Sequence, residues 1–184
     1  MQTNGKNIAL GVCGSIAAYK ACELARLFVK NGFGVHVVMT SAAQRFVTPL
    51  TFRTLSRNPV NTGLFESVAE WAPDHVALAE KCAALVVAPC TANVLAKIAH
   101  GIADDNLSSL ALSFAPSRIL LAPAMNVAMC ENPATSANIA TLRSRGVSVM
   151  EPGVGELACG TSAKGRMPEP EEIFTAALGN LGIL

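Results

Sequence analysis

Four short polar segments, each at the end of a β-branched run, carry the residue types of a binding site. They combine glycine, hydroxyl and amide groups, which can hydrogen-bond a ligand from the turn between a strand and a helix. In a parallel sheet these turns meet at one edge, outside the carboxyl ends of the strands. The segments are Gly14-Ser15, Thr40-Ser41, Pro89–Asn93 and Pro123–Asn126.

The first segment has the chemistry of a phosphate site. Gly14 and Ser15 lie between a predicted strand and a predicted helix, where free backbone N–H groups and the helix dipole favour an anion. Ser15 can also serve only as the N-cap of the helix, and both interpretations stay open. The segment lacks the G-x-G-x-x-G pattern, and the second strand ends in Thr40-Ser41 rather than in an acidic residue. A mononucleotide therefore fits better than NAD.

Three further residues are candidates for proton transfer or substrate binding. His75 follows Pro73-Asp74 at a predicted helix start, where the dipole favours the neutral imidazole of a base, although an exposed histidine without a chemical role is the alternative. Asn126 can bind a carboxylate or amide, or simply close a turn. Cys159 lies in a glycine-punctuated loop at 155–170, of a length typical of a lid, although it can also be a buried thiol. His36 and His100 are predicted to be structural.

The elements that position these groups follow an alternating β and α pattern, which predicts a parallel sheet covered by helices on both faces. The stretch Pro49–Asp74 is predicted to be less regular, and a helical segment follows at 75–82. The predicted strands are Asn7–Cys13, Val35–Thr40, Leu85–Ala88, Arg118–Ala122 and Val147–Met150. The predicted helices are Ala17–Asn31, Asn93–His100, a segment within Asn106–Phe114, Ala134–Arg145 and Pro170–Asn180.

Composition narrows the class of protein. The 184 residues, 51% of them hydrophobic, are predicted to form one domain, 1–184. A net charge of +1 argues against nucleic acid as a partner, and the apolar runs are too short for a membrane span. A mean hydropathy of +0.40 is high, so we expect a subunit interface. No signal peptide is recognised, which predicts a cytoplasmic location. The six cysteines form no C-x-x-C, so no metal site is expected.

Five motifs in one order carry a family resemblance. They are GSIAAYK, the histidine of DHVALA, APCTANVLAKIAHGIAD, PAMN and ACGTSAKGRM, and together they cover nearly the whole chain. This set resembles the homo-oligomeric flavin-containing cysteine decarboxylases. The resemblance implies a three-layer Rossmann-like or flavodoxin-like α/β fold with a central parallel sheet of five or six strands. It also implies FMN as cofactor and a homotrimer or homododecamer in which His75 can serve a neighbour's flavin.

The resemblance assigns roles residue by residue. His75 and Cys159 match the catalytic positions, with Cys159 as a proton donor. The substrate-binding positions are Asn126, Met125, Ala158 and Gly160. The FMN-binding positions are Gly14, Ser15, Ile16, Thr40, Ser41, Phe46, Thr91, Ala92, Asn93, Val94 and Ala124.

The implied reaction is the oxidative decarboxylation of 4'-phospho-N-pantothenoylcysteine to 4'-phosphopantetheine on the route to coenzyme A. Cys13 and the segment GIADDNLSS depart from the usual family pattern. No synthetase-like segment follows, so a stand-alone chain and an excised half of a bifunctional chain both stay open, with a synthetase as a possible pathway partner. The alternatives are a lantibiotic-type peptidyl-cysteine decarboxylase, a flavin prenyltransferase and a flavodoxin-like electron carrier.

Overall fold

The computed structural model describes residues 7–64, 74–156 and 162–182. The six strands of the main sheet are β1 (Asn7–Val12), β2 (Gly34–Met39), β3 (Val60–Asn61), β4 (Cys82–Cys90), β5 (Ile119–Pro123) and β6 (Ser148–Val149). Two more strands, β7 (Gly153–Glu156) and β8 (Ser162–Arg166), pair antiparallel with each other. The helices are α1 (Ala18–Lys30), α2 (Pro49–Ser56), α3 (Asp74–Lys81), α4 (Ala92–His100), α5 (Asn106–Ser113), α6 (Val127–Glu131), α7 (Pro133–Ser144) and α8 (Pro170–Asn180).

The main sheet is parallel throughout, with the strand order β3-β2-β1-β4-β5-β6. The order reverses between β1 and β4, because the chain builds outward in one direction from β1 and then in the other from β4. Such a switch point leaves a crevice at the carboxyl ends of the two strands, where ligands of this fold class bind. The predicted three-layer α/β fold with a parallel sheet of five or six strands is confirmed.

The sheet separates two apolar cores, because alternate residues of each strand point to opposite faces. On β1, Ile8 and Leu10 face the core shared with α1 and α8, whereas Ala9 faces the core shared with α4, α5 and α7. Each of these three side chains is fully buried. Burial on both faces explains why the central strands are continuous apolar runs rather than alternating ones.

Some predicted boundaries were wrong. The irregular stretch Pro49–Asp74 contains helix α2 and the short strand β3. Helix α2 is only eight residues long, and its C-cap, Arg57, has left-handed backbone with φ 58°. Cys82, predicted as a helix end, begins β4, and the predicted loop at 155–170 contains part of β7 and all of β8. These short elements depend on partners distant in sequence, which periodicity does not detect.

His36 is structural, as its position inside β2 predicted, and only 7% of it is exposed. Burial, together with the positive charge of Lys81, lowers the pKa of its imidazole to about 4. Between pH 6.5 and 4 the unfolded chain therefore binds a proton at His36 that the folded chain does not. The folded state therefore becomes less stable as the pH is lowered through this window. Above pH 6.5 His36 makes no such destabilising contribution.

We expect the free energy of unfolding to drop by about 2–3 kcal/mol from this group alone between pH 6.5 and 4. His36→Gln should remove that part of the slope, because glutamine does not titrate. Urea unfolding at several pH values would measure both slopes. Equal slopes for His36→Gln and the wild type would contradict the assignment.

The described residues contain neither a membrane-spanning helix nor a cluster of metal-binding side chains. Within residues 7–64, 74–156 and 162–182, no helix combines the length and apolarity needed to cross a bilayer. The same residues contain no group of three or more His, Cys, Asp or Glu side chains placed to hold a metal ion.

Candidate functional site

A cavity of about 420 Å³ opens at the switch point of the sheet, above the carboxyl ends of β1, β2, β4 and β5. Its volume lies within the range of about 300–1,000 Å³ that is usual for small-molecule sites. The lining residues are Gly14, Ser15, Thr40, Ser41, Ala42, Thr91, Ala92, Asn93, Val94, Lys97, Asp105, Ala124, Met125 and Met129.

The cavity collects nearly all the residues that were predicted to bind a cofactor. The exceptions are Ile16 and Phe46, which do not line it and are 60% and 51% exposed. Met125, predicted to contact the substrate, also lines the cavity. The four polar segments singled out in the sequence therefore converge, and the binding roles of their residues stay predictions.

The turn after β1 is held close to the turn after β2 because position 14 has no side chain. A Cβ atom on Gly14 would lie 2.4 Å from the Cβ of Ala42, closer than real Cβ contacts allow. The alternative interpretation of Ser15, that it serves only as the N-cap of the first helix, does not hold, since the N-cap of α1 is Ala17. The Ser15 hydroxyl instead accepts a hydrogen bond from the Ala17 N–H at 3.3 Å, within the turn.

The start of α4 provides further donors to the cavity. Thr91 is its N-cap, and the Thr91 hydroxyl accepts a hydrogen bond from the Val94 N–H at 3.4 Å. Among the described residues, none accepts a hydrogen bond from the backbone N–H of Gly14, Ala92 or Asn93. Free N–H groups at a helix N-terminus, together with the helix dipole, make a favourable place for an anion.

Lys97 and Asp105 form an ion pair in the cavity wall, and sequence reasoning missed both. The Lys97 ammonium donates to Asp104 at 2.6 Å and to Asp105 at 2.9 Å, and these bonds raise its pKa. Burial alone would raise the pKa of Asp105, but the Ser108 N–H and Lys97 outweigh it and the pKa is lowered. Helical spacing was the available signal, because Lys97 lies three and four residues after Val94 and Asn93.

The PAMN segment is fixed by three backbone or side-chain hydrogen bonds. The Ala124 N–H donates to the Cys90 carbonyl at 2.9 Å, and the Met125 N–H donates to the Gly165 carbonyl at 3.0 Å. Asn126 is the N-cap of α6, and its Oδ1 accepts from the Met129 N–H at 2.8 Å. The turn role considered for Asn126 is thus present, and it leaves the amide NH₂ available to a ligand.

His75 is not among the residues that line this cavity. It is the second residue of α3, as predicted, and lines a separate cavity of about 10 Å³ together with Asn61, Leu78 and Asn106. That space holds about one water molecule. Within the described residues of a single chain, His75 therefore does not line the nucleotide-sized cavity.

The two cavities are separated by the start of α5. Asp105 lines the larger cavity, and the next residue, Asn106, lines the smaller one. The buried Asn106 side chain donates to the Asn61 side chain at 2.7 Å and accepts from the Leu107 N–H at 2.9 Å. This network fixes the wall that His75 faces.

The other end of α3 is held by Arg118. Its guanidinium donates to the carbonyl groups of Ala79 and Ala83, at 3.2 and 2.7 Å, and to that of Cys82. Carbonyl groups at a helix C-terminus carry the negative end of the dipole, so a cation stabilises them. The helix that carries His75 is therefore anchored to the sheet.

Three predicted site residues, Ala158, Cys159 and Gly160, lie outside the described residues. Of the other cysteines, Cys13, Cys82 and Cys90 are fully or almost fully buried. A hydrogen bond with Cys13 and burial raise the pKa of the Cys90 thiol well above its ordinary value. Buried thiols of this kind are unreactive and serve as small apolar side chains of the core.

The chain is similar to a known protein family and to curated proteins. The model of the family described as Flavoprotein matches residues 1–182. The chain belongs to the flavoprotein family. This flavoprotein is 46% identical, over 96% of its length, to the coenzyme A biosynthesis bifunctional protein CoaBC of Haemophilus influenzae, of which it spans 44%. It thus spans less than half of the curated relative that it matches.

Solved structures agree with the fold of this flavoprotein. A cysteine-to-serine mutant of a PPC decarboxylase, complexed with pantothenoylaminoethenethiol, superposes with a TM-score of 0.83 at 27% identity, over 94% of this chain and 96% of that one. The FMN-dependent cysteine decarboxylase SpaF gives a TM-score of 0.82 at 30% identity, over 98% and 99%. The fold of this flavoprotein thus agrees with the predicted three-layer α/β class.

Proposed function

We propose that this chain binds FMN and decarboxylates 4'-phospho-N-pantothenoylcysteine (PPC) to 4'-phosphopantetheine and carbon dioxide, a step of coenzyme A biosynthesis. The observation that carries the proposal is the cavity at the switch point, with free N–H donors on one side and the Asn126 loop beside it. The similarity to CoaBC proteins and to a PPC decarboxylase supports the choice of substrate.

The residues of the cavity fit FMN. Its phosphate would meet the N–H groups of Gly14, Ala92 and Asn93, where a dianion is favoured. The apolar side chains of Val94 and Met129, which line the same cavity, would contact the flavin ring system. No acidic residue stands where a dinucleotide-binding fold holds the second ribose, which favours a mononucleotide.

The substrate needs an electron sink, because the carbanion left by loss of its carboxylate is otherwise unstabilised. When bound, FMN supplies the two-electron oxidation and reduction that create and then remove this sink. Asn126 would hold the substrate carboxylate or amide through its NH₂, since its Oδ1 is already engaged by Met129. His75 would remove or share a proton in the oxidative half, and Cys159 would supply the proton that is taken up when the enethiol is reduced to 4'-phosphopantetheine.

The position of His75 supports a homo-oligomer, as a trimer or a dodecamer, in which one chain's His75 serves its neighbour's cavity. His75 lines a different cavity from the FMN-sized one. The exposed apolar side chains include Ile16 and Phe46, which follow the turns after β1 and β2, and Val76 beside His75. Light scattering of the purified protein would give the number of chains.

A cytoplasmic location is also proposed.

The test is to incubate purified protein with PPC and, separately, with a peptide that ends in cysteine. We expect bound FMN, carbon dioxide and 4'-phosphopantetheine with PPC. Similarity to the FMN-dependent cysteine decarboxylase SpaF supports a substrate that carries cysteine, and the peptide is the second candidate. Turnover of the peptide alone would replace the proposal with a peptidyl-cysteine decarboxylase, and a redox-active flavin without turnover of either would indicate an electron carrier.

The proposed role of Asn126 predicts a specific effect of Asn126→Asp. Asparagine and aspartate cap helices about equally well, so stability should change by less than about 0.5 kcal/mol. The variant loses its NH₂ donor and places a carboxylate beside the substrate carboxylate, so kcat/KM for PPC should fall about 10- to 100-fold.

Asn132→Asp is the matched control, because Asn132 caps α7 in the same way, with its Oδ1 accepting from the Ala134 N–H at 2.9 Å. Steady-state kinetics and thermal unfolding of both variants measure the two effects. If Asn126→Asp keeps its kcat/KM, Asn126 is a cap and nothing more.

A further inference from the structure

Gly165 lies where the β7–β8 pair touches the loop that carries Asn126. It belongs to β8, and its carbonyl accepts the hydrogen bond from the Met125 N–H at 3.0 Å. A Cβ atom added to Gly165 would lie 2.3 Å from the Met125 carbonyl oxygen and 3.5 Å from the carbonyl carbon of Asn126. The first distance is far below any real Cβ contact, so only glycine allows the two backbones to approach this closely.

The backbone angle of Gly165 also requires glycine. Its φ of 143° lies in the region that residues with a side chain rarely adopt. Any substitution there is strained in itself, besides clashing with a neighbour that is backbone and cannot rotate away. Relief of the clash therefore has to move β8 or the Met125-Asn126 segment.

The ion pairs of β8 with its surroundings are weaker. Lys164 forms an ion pair with Glu151 at 2.7 Å, Glu151 also binds Arg143 at 2.7 Å, and Arg166 lies 3.5 Å from Glu169. These side chains are 38–62% exposed, and exposed pairs contribute little to holding a structure in place. The backbone contact at Gly165 is therefore tighter than these ion pairs.

We propose that Gly165 is a positioning residue that sets the distance between the β7–β8 pair and the Asn126 loop, and through that loop determines how the substrate is bound. The proposal rests on the proposed function for its kinetic part. The Oδ1 of Asn126 is fixed by the Met129 N–H. Asn126 directly follows Met125, whose N–H is bonded to the Gly165 carbonyl. A shift of this loop would move the Asn126 NH₂ away from the substrate while the turns after β1 and β4 keep their places.

The test compares Gly165→Ala with Gly153→Ala. Gly153 lies in β7 of the same pair, and a Cβ there would meet nothing closer than 3.7 Å, an ordinary contact. For Gly165→Ala we expect kcat/KM for PPC to fall roughly 10- to 100-fold, mainly through a higher KM, with FMN content and affinity unchanged. Gly153→Ala should behave as the wild type.

Two readouts separate positioning from general loss of stability. Hydrogen–deuterium exchange of the peptide that contains Met125 should become faster in Gly165→Ala and not in Gly153→Ala, because the Met125 N–H loses its acceptor. This readout does not depend on PPC being the substrate. In the double variant Gly165→Ala/Asn126→Asp, the loss of kcat/KM should not exceed that of Asn126→Asp alone, since both act through one group.

Different failures point to different parts of the argument. No turnover of PPC by the wild type would overturn the proposed function, and exchange at Met125 would still test the coupling. Unchanged exchange and unchanged KM in Gly165→Ala would overturn the positioning role. Fully additive losses in the double variant would show that Gly165 acts independently of Asn126 and would also overturn it.

Discussion

Replacing His75 by Asn should reduce the turnover of PPC by roughly two orders of magnitude or more, the usual scale of an acid–base group. Asparagine keeps a similar shape and one hydrogen-bonding edge, but it cannot exchange a proton near neutral pH. His75 lies at the start of α3, as the second residue of that helix.

FMN content and oligomer size should be unchanged in His75→Asn. His75 does not line the FMN-sized cavity, and α3 is anchored at its other end by Arg118. Steady-state kinetics, flavin absorbance and light scattering together measure the three quantities.

The matched control is His100→Asn. His100 is an exposed histidine at the end of α4, and its ring nitrogen Nε2 is 3.0 Å from Asn138 Oδ1. This variant should keep near-normal turnover. If His75→Asn also turns over normally, His75 is an exposed helix-start residue without a chemical role; if it loses FMN and oligomer together, its role is structural.

Replacing Cys159 by Ser should separate the two halves of the reaction. Carbon dioxide should still be released from PPC, because oxidation and decarboxylation precede the proton transfer assigned to Cys159. Formation of 4'-phosphopantetheine should fall roughly 100-fold or more, since a serine hydroxyl is a far weaker acid than a thiol. The enethiol should therefore accumulate, with one flavin left in its reduced form for each enethiol formed.

Mass spectrometry of the products measures this ratio directly. Cys130→Ser is the control, because Cys130 is a half-buried thiol on α6 whose pKa is raised by burial, and it lies near the cavity without a proposed role. Normal 4'-phosphopantetheine formation by Cys159→Ser would remove Cys159 from the mechanism. Loss of carbon dioxide release would assign Cys159 to an earlier step.

The sequence alone determined the local elements and the chemistry at their ends. The central strands β1, β2 and β5 were predicted within one or two residues, because long apolar β-branched runs identify buried strands. Helix α8 was predicted with its observed bounds, since Pro170 opens it and Glu169 and Glu172 form a capping box. The cavity residues after each strand were found because a parallel sheet brings its carboxyl ends to one edge.

Only the tertiary structure decided which strands are neighbours and which polar groups share a cavity. The switch point between β1 and β4 and the separation of His75 from the larger cavity both depend on contacts between distant segments. Strand β8 was missed for the same reason, because its pairing with β7 and the contact of Gly165 with Met125 join residues that no local pattern relates. Periodicity reports the face that a residue occupies, whereas packing determines what meets that face.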